Sequence, residues 1–324
     1  MASYLLKRVA MMLPLMVGIT VITFAVIHLA PGEPIDKMTD LNPKISAQAK
    51  QKMREMYHLD KPLPVQYALW FERFVRLDFG NSFSPDNRPV LGKIMERMPV
   101  TLFINVSSLA VIFLLAIPLG VISATRPRSM FDRATTLFVF VGFSTPGFWL
   151  SLLAMIFFGV QLGWLPISGI RSIDFRELSS WEKFLDYLRH LTLPILLSSL
   201  TSLTFLSRIT RQNMLEVIRQ DYITTARAKG CSEYSVVFHH ALRNALLPIV
   251  TIIGLSVPAL IGGSVIFETV FSIPGMGMLF YESVMARDYP LVMGILVIGA
   301  SLTLVGNLLA DLSYALADPR IRYG

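Results

Sequence analysis

The chain has 324 residues, 53% of them hydrophobic and only 16% charged, with a mean hydropathy of +0.57. That is too apolar for a surface kept mostly in water, and it excludes an ordinary soluble domain. The formal charge of +7 would suit a nucleic-acid binder. In a membrane chain, however, basic residues more often record which loops stay in the cytoplasm, so placement decides. A single cysteine, Cys231, excludes an internal disulfide and any multi-cysteine metal or cluster site.

Crossing a hydrocarbon core of roughly 30 Å takes about 20 consecutive apolar residues as a helix, because unpaired backbone amides are not tolerated in lipid. Runs of that kind lie near Val9–Ala30, Val100–Ala124, Thr135–Gln161, Leu191–Ser207, Ala245–Phe267 and Leu291–Ala310. The first is too long for a signal-peptide core and lacks an A-x-A cleavage site, so it is read as a retained span. The expected fold is an all-α integral membrane protein of about six transmembrane helices.

With the N-terminus inside, the cytoplasmic segments hold thirteen Lys and Arg, against five in the two short outer loops; the other eleven lie in the long first loop. The positive-inside rule therefore reads N-in and C-in. The expected organisation is residues 1–30 as first span, 31–99 as an outer (periplasmic) loop region, and 100–324 as the core carrying the remaining spans. Within the long loop, Ile45–Leu59 reads as a polar helix and Pro64–Arg76 as an amphipathic one bearing Trp70, Phe71 and Phe74. That aromatic face either packs on the bundle and the lipid headgroups or docks a partner.

The spans are almost free of ionisable residues, which are costly there and usually functional. No H-E-x-x-H is present, and His239 and His240, adjacent on a helix, diverge by about 100° and do not make the i, i+4 pair of a zinc site. A proton relay is not evident either: Asn105 and Asn307 are the conspicuous polar groups. The phosphate-cradling G-x-x-x-x-G-K-[ST] is also missing, since Gly92-Lys93 is followed by Ile94. Neither a stand-alone secondary transporter nor an intramembrane protease of the rhomboid sort fits well, and energy has to come from another subunit.

The most informative soluble segment is cytoplasmic, about residues 208–248. It reads as helix, glycine turn, helix: Asp221 is expected to cap the first helix, Gly230 to end it in the left-handed conformation, and Ser232 to cap the second, with Glu233 in its first turn. Ala226 and Ala228 are small enough to admit another protein's backbone. In the fifth span, Gly254, Pro258, Gly262 and Gly263 suit either a kinked pathway wall or plain close packing. Beyond it, Glu268 and Phe271, with Pro274, Gly275 and Gly277, suit an outer gate or an interfacial turn. Glu268 either faces a peptide's amino group or snorkels to water.

The cytoplasmic segment resembles the EAA loop of ABC importer permeases, with Thr224-Thr225-Ala226 where that pattern has E-A-A and with the proline displaced to Pro248. The form A-R-A-K-G followed by H-A-L-R-N-A-L-x-P is that of the dipeptide/oligopeptide/nickel permeases. Further segments resemble that family in order: H-x-A-P-G-E-P (His28–Pro34), LDKPLPVQYALW (Leu59–Trp70), DFGNS (Asp78–Ser82), ERMPVTL (Glu96–Leu102), STPGFW (Ser144–Trp149), GWLPISG (Gly163–Gly169), GGSVIFETVFSIPGMG (Gly262–Gly277) and the tail LADPRIRYG (Leu316–Gly324). The long first loop matches the B-type member.

The resemblance implies a type I ABC importer permease fold in a bacterial inner membrane. It implies a homologous second permease, two cytoplasmic ATPases that bind the ATP, and an extracytoplasmic binding protein that delivers the peptide; this chain itself needs no cofactor, metal or nucleic acid. A nickel chelate or other small solute is the alternative cargo. The coupling element implied is Asp221, Ala226, Ala228, Gly230, Ser232 and Glu233; the pathway or outer-gate candidates Pro258, Gly262, Gly263, Glu268 and Phe271 rest on the residues themselves, with plain packing, an interfacial turn or, for Glu268, snorkelling as the alternatives.

Overall fold

A computed structural model describes residues 2–29, 47–56, 58–246, 248–249, 252, 256 and 259–317. Among them the regular structure is helical, with one isolated bridge between Asn81 and Pro89. Helix α1 spans Ala2–Leu29, α2 Ala47–Met56, α3 Leu63–Val75 and α4 Val90–Thr125. Next come α5 (Met130–Ser144) and α6 (Gly147–Ala154), the latter continued by a π-helical segment Met155–Gln161. Then follow α7 (Ser180–Ile218), α8 (Asp221–Ala228) and α9 (Glu233–Ser235), with a π-helical segment Val236–Ala241 leading into α10 (Leu242–Ala245). The chain closes with α11 (Ala259–Gly262), α12 (Val265–Val270), α13 (Met276–Ala286) and α14 (Tyr289–Ala317).

Among the described residues four helices, α1, α4, α7 and α14, are long and apolar enough to cross a membrane, and the pair α5 and α6 makes a fifth if counted as one bent span. The expected third span, Thr135–Gln161, is broken by 104°. Pro146 is the cause: it has no N–H, and it drives the preceding Thr145 into extended backbone (φ −93°, ψ 126°). Helices α4 and α7, of 36 and 39 residues, run about 54 and 59 Å at 1.5 Å per residue and so extend well beyond the hydrocarbon. The expected fifth span, 245–267, lies partly outside the described residues, as do Gly254, Pro258 and most of the tail motif.

Contacts divide the chain into two units. In the first (Met1–Thr101, Ile261–Val265, Gly275–Gly324), α1 packs along α14, with Phe24 and Ile27 against Val292 and Met293, and Tyr67 and Trp70 of α3 against the same cluster. The aromatic face of α3 is therefore packed on the bundle. The segment after α3 is tied in by a partly buried polar knot: Asp288 accepts from the Ser82 and Ser84 hydroxyls and from the Leu291 N–H, while Lys93 Nζ donates to both serines and pairs with the exposed Asp86 at 2.8 Å. Buried groups of this kind need such partners, since each left unsatisfied costs about 1–3 kcal/mol.

The second unit (Leu102–Leu260, Ile266–Pro274) is built around α7. Its N-terminus carries a capping box between Ser179 and Glu182. Helices α5, α6 and α10 lie against it. Gly120 of α4 comes so close that a Cβ would stand 2.8 Å from the Ser207 carbonyl oxygen and 2.5 Å from Thr210 Cβ, the small-residue contact on which lipid-embedded helices rely.

Candidate functional site

Helix α7 ends at Arg219, and Gln220, in extended backbone (φ −74°, ψ 150°), takes the N-cap position of α8 without a side-chain cap bond. Asp221 is thus the first helical residue rather than the cap; its carboxylate acts only through the favourable end of the helix dipole. After α8 the chain turns through Gly230 at φ +80°. Gly230 N–H donates to the Arg227 carbonyl at 2.9 Å and Cys231 N–H to the Ala226 carbonyl at 3.2 Å, the paired bonds of a Schellman turn. Ser232 then caps α9 by accepting from Ser235 N–H, with Glu233 in its first turn.

One side of this helix pair is buried in the chain itself. Ile223 and Ala226 pack with Val236, Ala241 and Ala245 on Val121 and Ala124 of α4 and Met214 of α7. Ala226, expected to face another protein, is only 8% exposed because it shares the inward stripe with Ile223. The other side is solvent-facing: Asp221, Thr224, Thr225, Ala228, Gly230, Ser232 and Glu233 are all exposed. Polar ties hold the pair in place. Arg227 bridges to Glu233 at 2.8 Å, Asn244 donates to the Tyr222 hydroxyl at 2.7 Å, and Asn213 of α7 donates to the Ala245 carbonyl at 3.2 Å.

A second tie was not legible as such. Asp132, in the first turn of α5, takes a bidentate fork from Arg211 of α7, with Nε 2.7 Å from one oxygen and Nη2 3.0 Å from the other; it also accepts from Arg128 N–H at 2.9 Å. The signal available was Ser129 three residues before Asp132, a helix-start pattern that places the carboxylate but not its partner 79 residues away.

Farther along the second unit, a cavity of about 370 Å³ is lined by Asn105, Ser108, Ser198, Ser202 and Ser256 among apolar side chains. Asn105 donates to the Leu260 carbonyl and Ser108 bonds the Ser198 hydroxyl. Of these only Asn105 stood out in the sequence; the serines are unremarkable until helix packing gathers them. At the other candidate region, Gly263 lies at φ +65°, a Cβ on Gly262 would meet nothing within 4 Å, and Gly277 packs on the Ser264–Val265 backbone. Glu268 is 4% exposed, so it does not snorkel to water, and Phe271 is buried with its carbonyl accepting from Gly169 N–H at 2.8 Å. Among the described residues no three of His, Cys, Asp and Glu gather to hold a metal. The arrangement offers hydroxyls and amides around the cavity and an exposed face on α8.

Residues 116–323 match the family described as the inner membrane component of binding-protein-dependent transport systems, and residues 1–105 its N-terminal membrane-component family. Among curated proteins, the oligopeptide transport system permease protein AppB of Bacillus subtilis is 43% identical over 323 residues, covering all of both chains. A putative peptide permease protein of Brucella suis is 39% identical over 325 residues, 99% of each chain. A probable peptide ABC transporter permease protein of Sinorhizobium fredii is 38% identical over 323 residues and the whole of both.

Proposed function

Because this chain belongs to the family of inner membrane components of binding-protein-dependent transport systems, as a multi-pass permease subunit without an ATPase site of its own, we propose that it forms half of the pathway of a di- and oligopeptide importer and is driven through α8. The cargo follows from the relatives, which are named as peptide permeases along their full length. In this reading a homologous second permease completes the pathway, two cytoplasmic ATPases bind the ATP, and an extracytoplasmic binding protein hands over the peptide. The serine-lined cavity suits such cargo, since hydroxyls and amides match a peptide backbone without selecting side chains. The segment carrying Gly262, Gly263, Glu268 and Phe271 is assigned to the outer end of that path.

One observation carries the docking assignment: α8 is anchored on one face and bare on the other, and closed by a Schellman turn whose Gly230 has open space around it. Docking moves it as a rigid unit, and the spans it is anchored to follow. Gly230→Val tests this, because a β-branched residue at φ +80° is strained by roughly 1–2 kcal/mol although its Cβ would meet nothing within 4 Å. ATPase co-purification and ATP-driven uptake in proteoliposomes should fall at least tenfold, about 1.4 kcal/mol of coupling. Gly230→Asn, which tolerates the left-handed region, should retain most of both. Full uptake by Gly230→Val, or uphill uptake by this polypeptide alone, would overturn the assignment.

A further inference from the structure

We propose that Asp132 and Arg211 form a transmission clamp, two positioning residues that make α5 follow α7 when the cytoplasmic helix pair is moved. This rests on the docking reading and adds which span the motion enters next. Arg211 lies two turns before Ile218, the last residue of α7; the chain leaves the helix at Arg219 and Gln220, and displacement of α8 reaches α7 through the packing of Ile223 and Ala226 with Met214 and the bond from Asn213 to the Ala245 carbonyl. Asp132 lies at the other side of the joint. Its side chain is 7% exposed, its two oxygens receive the planar fork of Arg211, and one of them also receives the N–H of Arg128, a residue held at φ +65° in the turn from α4 to α5. The turn between those two helices is thereby fastened to α7.

Away from the pair α5 packs along α7, where a Cβ on Gly142 would stand 2.7 Å from Thr204 Cγ2; the hydrophobic contacts beside the pair itself go elsewhere. Val121 and Ala124 tie α4 to the helix pair, but that cluster contains no residue of α5. The pair is accordingly the charged link at the cytoplasmic start of α5, and α5 continues through the bend at Pro146 into α6. A half-buried pair of this sort, with Asp132 buried and the Arg211 side chain 34% exposed, adds little net stability, because desolvation and solvent screening offset most of the attraction, yet it fixes orientation strictly. Arg rather than Lys is required for the fork.

The experiment uses the complete complex in proteoliposomes, reading ATP hydrolysis and peptide uptake together for Asp132→Asn and Arg211→Lys. The expected result is ATP hydrolysis within about twofold of the unaltered complex with uptake per ATP down at least about fivefold, the scale of an ordinary coupling energy. A role in folding alone would lower both in proportion. As a second variant, Asp132→Cys with Arg211→Cys in a Cys231→Ser background should regain uptake per ATP when a short bismaleimide bridges the pair, since the clamp needs rigidity rather than charge. An unchanged ratio in both single variants, or a bridge that forms and restores nothing, overturns the clamp alone. Failure of the ATPases to bind the unaltered chain would instead sink the docking reading on which it rests.

Discussion

Arg227 and Glu233 face each other across the Gly230 turn, with Nε 2.8 Å from one carboxylate oxygen and Nη2 3.4 Å from the other. The pair joins the end of α8 to the start of α9 over six residues, so the two helices present one surface rather than two independent ones. Both side chains are well exposed, at 40% and 69%.

Exposed pairs of this kind contribute only about 0.2–1 kcal/mol, so Glu233→Gln should leave the thermal melting of the purified subunit almost unchanged. If an ATPase docks on this helix pair, the effect is expected there, where the angle between the helices matters. The affinity of the purified ATPase for the reconstituted permease, measured by titration, should weaken several-fold, and the difference should shrink as salt rises.

Gly277 and Gly262 make a matched comparison. A Cβ on Gly277 would stand 2.6 Å from the Ser264 carbonyl carbon and from Val265 N, both backbone atoms that do not yield. Gly277→Ala should therefore lower stability by about 1–3 kcal/mol. Gly262→Ala meets nothing within 4 Å and should cost no more than a few tenths of that loss in a side-by-side melt.

The short segment after α3 carries a pH dependence. The Arg73 guanidinium, then the Gly80 N–H, hold the Asp78 carboxyl below its ordinary value, and Lys93 does the same for Asp86. A carboxylate lowered on folding stabilises the folded form fully above its unfolded pKa of about 3.9, and that contribution is lost as pH falls through the lower folded value. Hydrogen exchange in residues 76–89, corrected for intrinsic rate, should be flat above about pH 5 and rise progressively below pH 4. Asp78→Asn should remove part of that rise.

The local grammar of α8 and its turn was legible because caps and turns are decided within a few residues: Gly230 and Ser232 act through their own backbone and hydroxyl. Which side of α8 would be bare was not, since Ala226 and Ala228 differ only in what packs beneath them, and that is set by α4 and α7. Helices α2 and α3 fell close to their expected limits, Ala47–Met56 and Leu63–Val75. The bend at Pro146 was missed although the proline was in plain view, because apolar composition continues through it and hides the missing N–H. Asp132 with Arg211, and the serines around Asn105, are products of helix packing over long sequence separations, which periodicity does not encode.

The central claim, that an ATPase seats on the bare face of α8 and its turn, is tested most directly by the reactivity of Cys231. This single cysteine is exposed and lies at the turn, next to Gly230. Maleimide labelling of the chain in membranes should slow at least about tenfold when the purified ATPases are added, as expected for a thiol covered by a docked partner, and a bifunctional reagent anchored on Cys231 should capture an ATPase subunit. Equal labelling rates with and without bound ATPases would contradict the account.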